Sequence, residues 1–234
     1  MDSLHPRCFF DLALPLVGDL FGQVGTVWDI LPRIPELVNG LTGGERIIKG
    51  NVMPGAFIGD GPVFIGDGAV IEPGVYVETP AYVGPGAILR HGAYLRSNVI
   101  MLTKSLLGHV SEAKNAVFLP GARAPHFAYV GDSVLGHAVN LGAGVKLSNL
   151  PIVAADTVKL TVDGEVIDTS LRKFGAILGD RVQIGCNAVL NPGTVMGPGS
   201  MIYPNATVAK GIYPAATMIK VRQTHLITEV IRPE

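Results

Sequence analysis

His126 lies in a stretch of chain rich in side chains that can move protons or hold anions. An imidazole titrates near neutrality and can take a proton from an incoming nucleophile. Arginine and lysine hold phosphate groups well, and asparagine amides both donate and accept hydrogen bonds. The same stretch contains Arg96, Lys114, Tyr129, Asn140 and Asn149. A single histidine is more often structural than catalytic, so these side chains indicate a functional site only as a set.

The elements that must position this set follow from a bulky aliphatic residue at every sixth position. A helix repeats at about 3.6 residues and a strand at about 2, so neither explains a period of six. A unit of one short strand and one corner does explain it, and three units make a triangular turn of about 18 residues in a parallel β-helix. Two unbroken ladders show the period: Ile65, Ile71, Val77, Val83, Leu89 and Leu95, then Leu178, Ile184, Leu190, Met196, Ile202 and Val208.

Three segments depart from this period and divide the chain. Residues 1–48 contain two short helix-like stretches and are predicted to form a helical cap on the end of the prism. Residues 49–209 form the coils, with an insertion at 148–176 in which Asp163-Gly164 predicts a β-hairpin turn. Residues 210–234 are expected to leave the prism as an extended tail. A long insertion in a solenoid usually serves a site.

Composition narrows the class of protein further. The 234 residues have a net charge of −1 and only 16% charged side chains, which argues against nucleic-acid binding by bulk electrostatics. A hydrophobic content of 48% suggests that apolar surface is buried between subunits. Cys8 and Cys186 form neither a disulfide framework nor a metal motif. Residues 9–17 are a poor signal peptide and too short to span a bilayer, so a cytoplasmic protein without a membrane partner is expected.

Three short motifs add a family resemblance. They are 114–118 (KNAVF), 124–132 (APHFAYVGD) and 140–144 (NLGAG). With Arg96 and Asn149 they resemble the acetyltransferase half of the bifunctional N-acetylglucosamine-1-phosphate uridyltransferase/glucosamine-1-phosphate acetyltransferase. They are closer still to that half of archaeal-type sugar-1-phosphate nucleotidylyltransferases, also members of the hexapeptide-repeat acyltransferase superfamily. The resemblance covers about residues 50–222.

This resemblance implies an all-β fold, a left-handed parallel β-helix, and a homotrimer with its sites at subunit interfaces. The hand comes from the resemblance, because the usual crossover rule predicts the opposite one. The implied reaction is transfer of an acetyl group from acetyl-CoA to the amine of an amino-sugar phosphate. No metal is expected to be needed for that transfer.

Roles for individual residues follow from the same match. His126 matches the general base, which is needed because an ammonium has no lone pair to attack a thioester. The backbone N–H of Ala143 matches the oxyanion donor, and Asn149 the amide that orients the reacting groups. The implied substrate contacts are Arg96, Lys114, Tyr129, Asn140, Lys159 and Lys173. The implied CoA contacts are Ala143, Cys186, Lys220 and Arg222.

Two departures from the family bear on the substrate. Leu150 stands where the bifunctional enzyme has a tyrosine, which leaves glucosamine 1-phosphate and galactosamine 1-phosphate both open as acceptors. The sequence also lacks a Gly-rich phosphate loop followed by a Rossmann-like pattern. A free-standing acetyltransferase, with no nucleotidyltransferase activity of its own, is therefore expected.

Two other classes of function stay open. The γ-type carbonic anhydrases share the hexad prism and bind zinc through three histidines. His91 and His109 are 18 residues apart and could stack on one face, but His126 and His137 follow at 17 and 11, so a third ligand at short spacing is missing. The third class is a non-catalytic scaffold or sugar-nucleotide-binding protein. A scaffold would tolerate His126→Ala, whereas an acetyltransferase would lose most of its rate.

Overall fold

The computed structural model describes residues 2–153 and 156–222. Apart from an inserted hairpin, their strands lie in three stacks, one on each face of a triangular prism, and neighbours within each stack are parallel. The predicted all-β fold, a parallel β-helix built from hexapeptide coils, is confirmed and is consistent with the left hand that the resemblance implies. Within the described ranges, no helix combines the length and apolar character needed to cross a bilayer.

The three faces are named by their order along each coil. Face 1 contains Arg46–Ile48, Val63–Ile65, Ala81–Val83, Val99–Met101, Ala176–Leu178, Thr194–Met196 and Gly211–Tyr213. Face 2 contains Asn51–Val52, Val70–Ile71, Ile88–Leu89, Leu106–His109, Arg123–His126, Asn140–Leu141, Gln183–Ile184, Met201–Ile202 and Met218–Ile219. Face 3 contains Phe57–Ile58, Tyr76–Val77, Tyr94–Leu95, Lys146–Leu147, Val189–Leu190 and Thr207–Val208. Two longer strands, Glu112–Phe118 and Tyr129–Leu135, start on face 3 and bend onto face 1.

The predicted aliphatic ladders point inward and fill the axis of the prism. Ile65, Leu89 and Leu178 are fully buried in this core, as are the small residues Ala69 and Ala87 near the corners. A single coil buries little apolar surface by itself. Stability therefore comes from stacking, since each coil covers its neighbours.

Two corners of the prism are named for the side chains they carry. The histidine edge joins face 2 to face 3 and includes the corners at His91, His109 and His126. The lysine edge joins face 3 to face 1 and includes the corners at Lys114 and Lys210. The insertion leaves the prism at the lysine edge, because it connects Lys146–Leu147 on face 3 to Ala176–Leu178 on face 1.

The prediction that the N-terminal segment caps the end of the prism is wrong. The segment contains the helices Val17–Phe21 and Ile34–Thr42 and the 3-10 helices Asp2–Leu4, Pro6–Cys8 and Leu31–Arg33, and it packs along the outside of face 1. The middle residue of each face 1 strand points away from the axis and is apolar, so it must be covered. This outer row joins Trp28, Ile34 and Val38 in a second core and consists of Phe64, Tyr82, Ile100, Val117, Val134, Ile177, Val195 and Ile212.

The insertion also packs on face 1 of its own chain. Strands Lys159–Val162 and Glu165–Asp168 pair antiparallel across Asp163-Gly164, whose φ angles are 51° and 86°. Val158 and Leu160 are buried in the second core.

The prism extends beyond the point where the sequence predicts a tail. Gly211–Tyr213 pairs with Thr194–Met196, and Met218–Ile219 pairs with Met201–Ile202, so the prediction for 210–219 is wrong. The five-residue step from Val208 to Tyr213 hides this coil from a search for a period of six. Residues 223–234 of the predicted tail lie outside the described residues.

Candidate active site

The predicted catalytic residues lie on two different edges of one prism. His126 ends its strand at the histidine edge, and its carbonyl accepts a hydrogen bond from Gly144 N at 3.0 Å. Asn149 follows the face 3 strand Lys146–Leu147 and lies at the lysine edge, so face 3 separates it from the histidine edge. One chain therefore does not bring His126 together with Asn149.

The histidine edge carries three of the four residues predicted to contact CoA. Ala143 lies one coil further towards the C-terminus than His126. Its carbonyl accepts a hydrogen bond from Asn187 N at 2.8 Å, but its N–H has no hydrogen-bond partner among the described residues. Cys186 is exposed two coils beyond His126. Lys220 places its ammonium 5.3 Å from the ring centroid of Tyr203 on the same edge.

Three predicted residues lie elsewhere. Asn140 begins a face 2 strand and pairs in register with Gln183. Arg222 is exposed beyond the last strand. Lys159 lies on the inserted hairpin, where its ammonium is 3.8 Å from a carboxylate oxygen of Asp168.

His91 and His109 stack on the histidine edge, as their spacing predicts. Their ring centroids are 5.8 Å apart with an interplanar angle of 16°. Each Nδ1 contacts a backbone carbonyl of the preceding coil, at 2.7 Å from Pro73 O and 3.0 Å from His91 O. Parallel rings held in this way direct both Nε2 atoms along one direction, so they do not converge on one point. The described residues contain no cluster of three or more His, Cys, Asp or Glu suited to a metal.

The lysine edge is organised around a buried carboxylate, Asp132, whose residue is 5% exposed. One carboxylate oxygen accepts a hydrogen bond from Asn115 Nδ2 at 3.0 Å. The other accepts from Asn149 Nδ2 at 2.5 Å and lies 3.7 Å from Lys114 Nζ. Lys114 and Asn149, predicted from widely separated motifs, thus meet at one carboxylate.

Tyr129 joins this group from face 3. A Cβ on Gly131 would lie 2.6 Å from the Tyr129 hydroxyl oxygen and 2.8 Å from Asn149 Nδ2, so a larger residue here would displace these side chains. Burial raises the pKa of Tyr129, and the negative charges of Glu112 and Asp132 raise it further. The phenol therefore stays protonated and able to donate at neutral pH.

Arg96 is held at the same edge by carboxylates. Its Nη1 lies 3.0 Å from Glu112 Oε1, and this hydrogen bond raises the pKa of the Arg96 guanidinium. Glu78 accepts hydrogen bonds from the Tyr94 hydroxyl and from Ser97 N, and the Tyr94 contact lowers the pKa of Glu78. The Arg96 guanidinium thus has a fixed partner and remains charged.

The insertion is anchored beside Asn149. Phe174 N donates to Asn149 O at 2.9 Å and Gly175 N to Asp132 O at 2.8 Å, which places Lys173 next to Asn149 along the backbone. A cavity of about 730 Å³ opens on the C-terminal side of Asn149. Its lining includes Ile152, Val153, Lys159, Asn191 and Lys210.

Sequence reasoning missed Asp132, Asn115 and Glu112 as site residues. A signal for their location exists in the repeat. The inward residues Ala113 and Phe118 are five apart, as are Val130 and Leu135, instead of six. Both short steps fall at the lysine edge, and they contain Asn115 and Asp132. The backbone of both residues adopts the left-handed conformation, with φ of 46° and 45°.

Comparison with known proteins agrees with this architecture. Residues 62–97 and 175–210 match the family model for bacterial transferase hexapeptide (six repeats). The bifunctional sugar-1-phosphate nucleotidylyltransferase/acetyltransferase of Sulfurisphaera tokodaii is 36% identical over 190 residues, 81% of this chain and 46% of that protein. The bifunctional protein GlmU of Methanococcus maripaludis (strain DSM 14266) is 34% identical over 192 residues, 82% of this chain and 45% of that protein.

Among solved structures, the UDP-N-acetylglucosamine acyltransferase from Campylobacter jejuni is 18% identical, with a TM-score of 0.30 over 72% of this chain and 68% of that one. The fold and the repeat are similar to those of the hexapeptide-repeat transferases, whose family model the chain matches in these two segments. Within that class it is similar to the bifunctional sugar-1-phosphate nucleotidylyltransferase/acetyltransferases. It spans slightly less than half the length of the curated relatives it matches.

Proposed function

We propose that the protein transfers an acetyl group from acetyl-CoA to the amine of a hexosamine 1-phosphate, glucosamine 1-phosphate or galactosamine 1-phosphate. The observation that carries this proposal is the division of the matching residues between two edges. The histidine edge holds a proton acceptor and an unused backbone donor, and the lysine edge holds cations and an oriented amide. Such a division suits a site formed where two protomers meet.

In this reaction His126 removes a proton from the amine as the nitrogen attacks the thioester carbonyl carbon. The new C–N bond leaves negative charge on the former carbonyl oxygen, which the Ala143 N–H stabilises because that donor has no other partner among the described residues. The tetrahedral intermediate then collapses and the C–S bond breaks. The imidazolium of His126 returns its proton to the CoA thiolate, so the products are the N-acetyl sugar phosphate and free CoA.

The same division supports a proposal for the protein's assembly. We propose a closed trimer, in which the histidine edge of each protomer faces the lysine edge of the next and three equivalent sites result. Arg96, Lys114 and Lys173 would hold the sugar phosphate, with Tyr129 donating a hydrogen bond. Cys186, Lys220 and Arg222 lie on the C-terminal side of His126 and would border CoA, at the level of the 730 Å³ cavity on the facing edge.

Thiol release from acetyl-CoA tests the proposal. The purified protein should release CoA with glucosamine 1-phosphate or galactosamine 1-phosphate, and mass spectrometry should find the acetyl group on nitrogen. Amino-sugar nucleotides complete the panel of acceptors, and N-acetylglucosamine 1-phosphate serves as the blocked control. An absence of release above background with every acceptor would contradict the proposal and favour a binding or scaffold protein.

A further inference from the structure

Asp132 is a buried ionisable group that the proposed transfer does not use directly. It takes no part in proton transfer, yet three side chains converge on its two oxygens. We propose that Asp132 is a positioning residue, which fixes the Asn149 amide and the Lys114 ammonium in the orientation that the acceptor requires. This inference rests on the proposed function, since it assigns a role within the same site.

The Asp132 carboxylate dictates the orientation of the Asn149 amide. An ionised aspartate only accepts hydrogen bonds, whereas an asparagine amide has an accepting oxygen and a donating nitrogen. Because Asp132 faces Asn149, the amide must present its nitrogen to the carboxylate. Its oxygen then points away from Asp132, where it can accept a hydrogen bond from the sugar amine. That contact directs the lone pair of the sugar amine towards the thioester.

The second consequence concerns Lys114. Its side chain is 24% exposed, and its ammonium lies 3.7 Å from the same oxygen that accepts from Asn149. A lysine side chain has four flexible bonds, so one charged anchor restricts its ammonium to a small volume. The ammonium thereby keeps a fixed distance from Asn149, which matches a ligand whose amine and phosphate are held at a fixed separation by a sugar ring.

Asp132 is itself held from several directions. Its backbone adopts a left-handed conformation at a shortened corner, which is unusual for a non-glycine residue. Its carbonyl accepts from Gly175 N, at the end of the insertion. Its partner Asn115 also donates from Nδ2 to Leu31 O at 3.3 Å, in the N-terminal segment. The carboxylate is thus fixed by the prism, the insertion and the N-terminal segment together.

A second buried aspartate provides a matched comparison. Asp180 is 4% exposed and lies at the corner between face 1 and face 2. Its carboxylate accepts from the backbone N–H groups of His137 and Asp11, each at 2.8 Å. These bonds attach the N-terminal segment to the prism, away from the lysine edge. Removing the charge of Asp132 affects Asn149, whereas removing the charge of Asp180 does not, so the two substitutions can be compared directly.

The test compares Asp132→Asn with Asp180→Asn in steady-state kinetics. The amide introduced by Asp132→Asn would lack the charge facing Lys114 and could no longer accept on both sides. We expect kcat to fall about 10- to 100-fold and KM for the sugar phosphate to rise, with KM for acetyl-CoA unchanged. Asp180→Asn should lower the melting temperature while leaving all three kinetic constants of the folded protein close to wild type.

A double-mutant cycle separates positioning from general destabilisation. If Asp132 acts through Asn149, then Asp132→Asn should reduce kcat much less in an Asn149→Ala background than in the wild type. Equal effects in both backgrounds, or wild-type constants for Asp132→Asn, would overturn the inference while acetyl transfer stands. Should the wild type transfer no acetyl group, the proposed function fails separately. A crystal structure of Asp132→Asn then decides, since an unmoved Asn149 amide would contradict the positioning role.

Discussion

His126 is exposed at the histidine edge, and no described residue holds its imidazole by a hydrogen bond. This contrasts with His91, His109 and His137, whose Nδ1 atoms all contact backbone carbonyls. Those three histidines have structural partners, so their orientation needs no ligand. Of these four, only His126 has both ring nitrogens without a hydrogen-bond partner among the described residues, so its imidazole can turn towards a bound molecule.

His126→Ala should therefore abolish most turnover without affecting folding. We expect kcat to fall about 10²- to 10⁴-fold, the range typical for removal of a general base. His91→Ala is the matched control, because it removes an imidazole from the same edge, two coils away and stacked on His109. Steady-state thiol release measures both variants, and equal losses in the two would argue against a specific role for His126.

The sequence predicts some of the residues at the lysine edge and not others. The family motifs identified Lys114 and Asn149, and the structure brings both to Asp132. Asp132 itself escaped notice because its contacts are to residues 17 or 18 positions away. These contacts can be predicted only when the length of each coil is known. The five-residue steps at 113–118 and 130–135 shorten two coils by one residue each.

Among the elements, the strand Arg123–His126 is placed by its close contact with the preceding coil. Gly108 lies in the adjacent face 2 strand Leu106–His109, and a Cβ there would lie 1.8 Å from Pro125 O. No side chain larger than hydrogen fits without displacing the backbone next to His126. The position of the catalytic candidate therefore depends on a glycine one coil away.

Gly108→Ala should displace this strand and reduce both stability and kcat. The expected cost is about 1–3 kcal/mol of unfolding free energy, typical of forcing extra volume into packed structure. Gly40→Ala is the control. Gly40 lies in the helix Ile34–Thr42, and a Cβ there would have no atom within 4 Å. This substitution should leave the free energy of unfolding unchanged or raise it by up to about 1 kcal/mol. Thermal unfolding and thiol release test the pair, and a fully active, stable Gly108→Ala would contradict this placement.

Element positions were predicted well where packing is local and poorly where it is not. The inward ladders depend on a fixed period and were read directly from the sequence. The N-terminal segment was misplaced because its binding surface, the row that includes Phe64, Ile100 and Val134, repeats at 17 or 18 residues. Such a row becomes recognisable as a surface only when the middle residue of each face 1 strand is known to point outward.

For the whole molecule, the central feature is that the candidate site residues lie on two different edges of one prism. The N-terminal segment and the inserted hairpin both cover face 1. The histidine edge and the lysine edge flank face 3 and carry exposed apolar side chains, including Phe127 at 55% and Ile152 at 100% exposure. Exposed apolar surface on both edges suits their burial against another protomer. The proposed trimer would complete three sites by apposing unlike edges.

Complementation between inactive variants tests this account most directly. His126→Ala and Asn149→Ala chains, each nearly inactive alone, would be co-expressed with different affinity tags and the mixed trimers isolated through both tags. If each site takes His126 from one protomer and Asn149 from its neighbour, every mixed trimer has a single interface at which both residues are intact, and roughly a third of wild-type activity should return. Mixed trimers as inactive as the separate variants would show that the two residues do not meet across an interface, and the proposed site would be contradicted.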